Sequence, residues 1–164
     1  PLEFSNSIGM SLKDGLVFAS DYLNAYDLKK DIKIIASGKI MTGFDIIRNI
    51  CLGADACYTA RGMMLALGCI QALECNSNHC PTGVATQNPS LASGINVKEK
   101  HTRVFNYHHY TLEAVAEMLA AMGVGSTTQL GRTNLWRRIS TNEISSYEKL
   151  FPEKNVGSSL LTSA

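Results

Sequence analysis

A short apolar run, a small-residue turn and a helix signal follow one another twice within residues 32–74, and this repeat limits the folds open to the chain. The first run, Ile32-Lys-Ile-Ile-Ala36, is β-branched and nearly all apolar, the pattern of a strand covered on both faces as in parallel sheets. Ser37-Gly38-Lys39 is the turn that leaves it. Thr42-Gly-Phe-Asp45 then reads as a helix cap, after which Phe44, Ile47, Ile50 and Cys51 share one face until Leu52-Gly53 ends the helix. A second strand is expected over Ala54–Thr59, and a helix rich in Ala, Leu and Met over residues 61–74. Upstream, Ser11-Leu-Lys-Asp14 has the form of a capping box, and Leu12, Leu16, Ala19, Leu23 and Tyr26 predict a helix over residues 11–28.

Helix, strand, helix, strand, helix is the order of right-handed βαβ architecture, either an open sheet or a barrel. Two parallel strands alone keep two open edges and cannot bury both faces, so the expected α/β fold is the last part of a longer chain whose other strands precede Pro1. Residues 82–100 hold Gly, Pro, Asn and Ser with little periodicity and read as an irregular excursion. Leu112, Val115, Leu119 and Met122 predict an amphipathic helix over residues 111–122, ended by Gly123 and Gly125. A short helix is expected over residues 134–139, and a disordered tail from Pro152. The organisation expected is thus βα units over 1–74, a cysteine loop over 75–100, a helical extension over 101–151 and a tail over 152–164.

Composition narrows the partners. With 45% hydrophobic and 18% charged residues and a net charge of +1, the chain has no electrostatic footprint for nucleic acid or an anionic membrane. Its longest apolar stretch, Met63–Leu73, is interrupted by Gly68, Cys69 and Gln71 and falls short of the roughly 20 residues a bilayer span needs. The first residues lack the pattern of a secretion signal, so a reducing cytoplasm is expected and the five cysteines do not imply disulfides. A small molecule or another polypeptide is the expected partner.

Three of those cysteines stand close together. Cys69, Cys75 and Cys80 are spaced C-x5-C-x4-C and followed by Pro81, which puts three soft ligands within one loop's reach. Free cysteine also packs as a small hydrophobe, and Cys51 on a helix face and Cys57 in a strand suit that reading. The triplet suits it less, because Asn76, Ser77, Asn78 and His79 surround it with donors for metal-bound sulfur. Zinc with His79 as fourth ligand is a competing reading, although zinc sites usually pair cysteines as C-x2–4-C. The adjacent pair His108-His109 reads as solvated.

The turns after the two strands form a second constellation. Ser37, Gly38 and Lys39 in one, and Thr59, Ala60 and Arg61 in the other, combine small residues with a cation at the start of a helix. In a (β/α)8 barrel the loops after the last two strands commonly bind phosphate through backbone N–H groups and a nearby cation. A glycine in such a turn is more often a turn alone.

Ala36-Ser-Gly-Lys-Ile-Met-Thr-Gly-Phe-Asp45, Leu52-Gly-Ala-Asp55 and the run from Ala66 through the three cysteines to Gln87 resemble the FMN-binding domain of glutamate synthases, in particular the short FMN-binding glutamate synthase family. The resemblance covers roughly residues 1–140. It implies a C-terminal fragment of a TIM barrel, about the last two βα units, with an iron–sulfur loop and C-terminal helices. It implies that Cys69, Cys75 and Cys80 ligate a 3Fe-4S cluster, and that Ser37, Gly38, Lys39, Thr59, Ala60 and Arg61 hold the FMN phosphate. The larger glutamate synthases carry Gly-Gly-Leu-Arg after the seventh strand, whereas this chain has Gly38-Lys39-Ile40-Met41, which leaves the phosphate charge to Lys39 and Arg61. The implied activity is that of an oxidoreductase in which the cluster passes electrons to FMN, and 2-iminoglutarate, formed from 2-oxoglutarate and ammonia, is reduced to L-glutamate. An electron-donor protein or reductase subunit is the implied partner. Catalytic residues would lie upstream of Pro1, so this segment by itself is expected to be inactive. A non-catalytic electron-transfer module, or a flavin oxidoreductase for another substrate, are the alternatives.

Overall fold

The computed structural model describes residues 8–153, so the first seven residues and all but the first two of the expected tail lie outside the described residues. Helix α1 (Leu12–Ala25) starts at Ser11, whose hydroxyl accepts the N–H of Asp14. After it come β1 (Ile35–Ser37), α2 (Gly43–Cys51), β2 (Ala56–Tyr58) and α3 (Ala60–Leu67), in the expected order. The strands pair in parallel with Ala36 opposite Cys57, which makes α2 the crossover of a βαβ unit.

The cap expected at Thr42 is present and complete. Its hydroxyl accepts the Asp45 N–H at 3.1 Å, while the Asp45 carboxylate accepts the N–H groups of Thr42 at 3.1 Å and Met41 at 3.2 Å. Arg48 closes the turn from 2.8 Å. Asp55 does the same work before β2, accepting the Ile34 N–H at 2.7 Å and pairing with Lys29. The start of α2 and the approach to the strands are therefore each fixed by a carboxylate that accepts backbone N–H groups.

Beneath the strands Ile40, Ile47 and Leu52 are essentially inaccessible, and Leu16 of α1 and Ala36 of β1 complete that layer. The expectation of strands covered on both faces holds for one face only among the described residues. Ile35 remains 47% and Tyr58 62% exposed.

Downstream the structure departs from expectation in several places. Helix α3 ends at Leu67 rather than at residue 74, because Gly68 adopts φ 106°, a left-handed cap. Within the stretch expected to be irregular lies a four-residue helix, α4 (Pro89–Ala92). Helix α5 (Val97–Ala121) is 25 residues long and begins well before the expected residue 111; Asn96 caps it by accepting the Glu99 N–H. In place of the helix expected over residues 134–139 there is an antiparallel hairpin, β3 (Trp136–Ser140) with β4 (Glu143–Ser146), and after it the short α6 (Tyr147–Leu150). Trp136, Arg138 and Ile144 lie on the pleated surface, where aromatic and β-branched residues are favoured, and Thr141-Asn142 forms the turn. The 101–151 extension is therefore only partly helical.

Two contacts fix this extension onto the βα units. Arg132, in a 3-10 turn (Arg132–Asn134), forms a buried ion pair with Asp21 of α1 and donates to the Phe151 carbonyl at 2.9 Å. Helix α5 crosses α2 and α3 where each presents a buried glycine. A Cβ on Gly43 would lie 3.0 Å from Met118 and 3.1 Å from the Thr111 carbonyl, and one on Gly62 would lie 2.0 Å from the Tyr107 hydroxyl. Only residues without a side chain permit this approach.

Candidate functional site

The turn after β1 and the start of α3 meet at one cleft of about 280 Å³, lined by Ser37, Gly38 and Lys39 from the first and Ala60 and Arg61 from the second, with Ile40, Tyr58 and Met64 completing the wall. Five of the six residues expected at a phosphate site are thereby brought together. Gly38 (φ 136°) and Lys39 (φ 54°) carry the backbone through consecutive positive-φ conformations at the wall of the cleft. For Lys39 this is a sparsely populated conformation for a residue with a side chain, of the kind that concentrates at ligand sites.

The sixth residue, Thr59, stands at the N-cap of α3 but makes no side-chain cap. Its hydroxyl lies 2.9 Å from the Tyr107 hydroxyl, which in turn donates to the Met41 carbonyl at 2.7 Å. A carbonyl can only accept, so the tyrosine proton belongs to Met41 and the threonine proton to Tyr107. The first turn of α3 therefore starts without a cap from the Thr59 side chain, beside Lys39 and Arg61. Unpaired donors at a helix start, together with two cations, suit an anion such as a phosphate monoester. Tyr107 escapes a reading of the sequence, because nothing local connects it to residues 48 and 66 positions earlier. Gly62 inside a helical run is the available signal, since an interior helix glycine commonly marks a close approach. A larger apolar groove of about 510 Å³ between α3 and α5 holds none of the expected residues.

Cys69, Cys75 and Cys80 are all free and all lie on the loop that leaves α3. Cys80 is buried, and its sulfur sits 3.4 Å from the Thr82 hydroxyl. The Thr82 hydroxyl and the N–H groups of Ala85, Thr82 and Val84 hold its thiol down to about 7 against the opposing effect of burial. Cys69 accepts the Gln71 N–H at 3.4 Å. These donors suit a thiolate bound to a metal, whose sulfur accepts N–H hydrogen bonds. Cys51 and Cys57 contrast with them: burial pushes Cys51 up to about 11 and raises Cys57 as well, in keeping with packed thiols.

The three sulfurs share the loop without converging. Among the described residues no group of three or more His, Cys, Asp or Glu side chains is placed to hold an ion. Residues 70–79 are all exposed, so no packing opposes closure of the loop. Its backbone is nonetheless distinctive, with Gln71 (φ 58°), Leu73 (φ 62°) and Asn78 (φ 65°) in the left-handed region. Asn78 also latches the loop to the segment entering α4, accepting the Gln87 N–H at 2.7 Å and the Thr86 hydroxyl at 3.0 Å. The donor chemistry therefore fits an iron–sulfur ligand set, and the loop's convergence is the feature the fold does not supply.

Comparison with known proteins places the chain in a family. The glutamate synthase large subunit-like protein YerD of Bacillus subtilis is 36% identical over 148 residues, which are 90% of this chain and 28% of that protein. An archaeal glutamate synthase [NADPH] of Methanocaldococcus jannaschii is 32% identical over 144 residues, 87% of this chain and again 28% of that protein. A ferredoxin-dependent glutamate synthase 2 of Synechocystis is 30% identical over 151 residues, 92% of this chain and 10% of that protein. The chain thus spans little more than a quarter of the first two relatives. The conserved region in glutamate synthase matches residues 1–125, and the chain belongs to the glutamate synthase family.

Proposed function

We propose that this chain forms the last two βα units of an FMN-binding (β/α)8 barrel, and that the cleft between Lys39 and Arg61 holds the phosphate of FMN. The observation that carries this reading is the meeting of the two strand-end turns at an uncapped helix start. The parallel βαβ order and the exposed apolar residues Ile35 and Tyr58 support a place beside further strands. When bound, FMN supplies hydride chemistry and a 3Fe-4S cluster on Cys69, Cys75 and Cys80 supplies single electrons, so that the whole protein reduces 2-iminoglutarate to L-glutamate.

The chain's own part is binding and orientation. The N–H groups of Ala60 and Arg61 and the side chains of Lys39 and Arg61 neutralise a dianionic phosphate, while Gly38 lets the backbone approach it. The donors around Cys80 favour its thiolate, the form in which a cysteine binds iron. Electrons come from a donor protein or reductase subunit, the class of partner that the name of the ferredoxin-dependent relative indicates.

The phosphate reading is tested by titrating the full-length protein with FMN and with riboflavin. Replacing both Lys39 and Arg61 by Met is expected to weaken FMN and leave riboflavin alone; equal effects on both flavins would overturn it. For the cluster, anaerobic reconstitution with iron and sulfide is expected to give an EPR signal in the oxidised state that is lost in Cys75→Ser. A protein that takes up zinc and yields no such signal refutes the ligand assignment.

A further inference from the structure

We propose that Tyr107 is a positioning residue for the phosphate cleft, a strut on α5 that sets the spacing of the two loops without touching the ligand. The inference rests on the phosphate reading above. Tyr107 lines no part of the cleft, yet its one hydroxyl bonds both sides of it: the Met41 carbonyl, two residues after Lys39, at 2.7 Å, and the Thr59 hydroxyl, immediately before Ala60, at 2.9 Å. The two halves of the cleft are also linked through the short β1–β2 ladder, which ends at Ser37 and Tyr58. Beyond those residues the loops leave the sheet, and the Tyr107 hydroxyl is a bridge between them.

The strut is itself fixed. Helix α5 lies against Gly43 of α2 further along its length, where Ala114 and Met118 leave no room for a side chain, and the Thr111 hydroxyl bonds the Tyr107 carbonyl at 2.6 Å. On the other side the tyrosine ring fills the space that a side chain at Gly62 would take. Its position is therefore set by two helices that carry the cleft, and the hydroxyl transmits that position to the loops. The bridge coincides with a second feature: the Thr59 hydroxyl lies against Tyr107 and makes no side-chain cap on α3, whose first residues Ala60 and Arg61 line the cleft.

Tyr107→Phe removes the hydroxyl and keeps the ring against Gly62. In the full-length protein, flavin fluorescence titrations with FMN and riboflavin measure the phosphate's share of binding as the ratio of the two affinities. The variant is expected to lower FMN affinity about three- to tenfold, part of what its two lost hydrogen bonds contribute, with riboflavin unchanged. Thr59→Val breaks the same bridge from the other side and is expected to give a similar loss, with little added in the double variant; Thr59→Ser, which keeps the hydroxyl, retains the wild-type ratio. A Tyr107→Phe ratio equal to wild type, or an equal loss for both flavins, would overturn the strut and leave the phosphate site standing. A wild-type protein that binds FMN no better than riboflavin would remove the phosphate reading and the strut with it.

Discussion

The two sites suggested by the sequence are built on opposite plans. The cleft at Lys39 and Arg61 belongs to the packed part of the molecule: its loops start from paired strands, lead into α2 and α3, and are bridged by Tyr107. Ile47 and Leu52 below it are inaccessible to solvent. The cysteine loop has no such support. Ile70 is 66% and Leu73 72% exposed, and the order of the loop comes from short-range bonds such as Ser77 with Glu74 and Asn78 with Thr86 and Gln87. A site for a phosphate can be prepared by the fold alone, because helix ends and turns already present the donors. A site for a metal cluster takes much of its shape from the bonds to the metal, so the protein need provide little more than ligands within reach.

This contrast is breakable, most strongly at the core. Ile47→Ala should cost about 2 to 5 kcal/mol in urea unfolding, while Leu73→Ala should change stability by no more than about 0.5 kcal/mol. A comparable loss at Leu73 would show that the loop is packed and would erase the distinction. Thr42→Ala removes one side of the α2 capping box and is expected to cost about 1 kcal/mol in the same measurement.

Acid should act on the packed half as well. Burial works to raise Asp45, but the N–H groups of Met41 and Thr42, the Thr42 hydroxyl and Arg48 outweigh it; at Asp55 burial is likewise outweighed, by Lys29 and the Ile34 N–H. Both carboxylates are held below their ordinary 3.8, so their stabilisation is complete above that pH and is lost as pH falls through the folded-state values. Urea midpoints measured from about pH 6 down to about pH 3 should decline at the acid end, and Asp45→Asn should flatten the decline. The smallest effect is expected at Gln71→Gly, where relief of a left-handed side chain and the entropy of an added glycine nearly offset each other, for a change within about 0.5 kcal/mol. Hydrogen exchange of the loop amides would register it.

Legibility in the sequence divides along the same line. Thr42 and Asp45 announce their helix, because a cap is a local arrangement of four residues. The end of α3 is harder to place because Ile70, Ala72 and Leu73 continue an apolar run past Gly68, and in the folded chain they belong to an exposed loop. The first half of α5 is obscured because His101, Asn106 and His108 blur its periodicity, though Asn96 and Glu99 offer a start signal. At Trp136 the helical trend gives way to a hairpin whose pairing depends on residues on both sides of the turn, so neither strand declares itself alone. Both cleft loops are legible from residue types, while the tyrosine that bridges them is not, since its contacts depend on how α5 crosses two other helices.

The ion pair of Asp21 with Arg132 spans 111 positions of sequence, and it bears on how this region can be handled as an object. Its charged ends are 3% and 10% exposed, so parting them strands a charge away from water, typically about 3 to 5 kcal/mol. Any expressed segment or fusion boundary that keeps the first helix without the turn at Arg132, or that turn without the helix, would part them. The first helix and the turn at Arg132 thus form one closure, and the βα units with the cysteine loop are carried inside it.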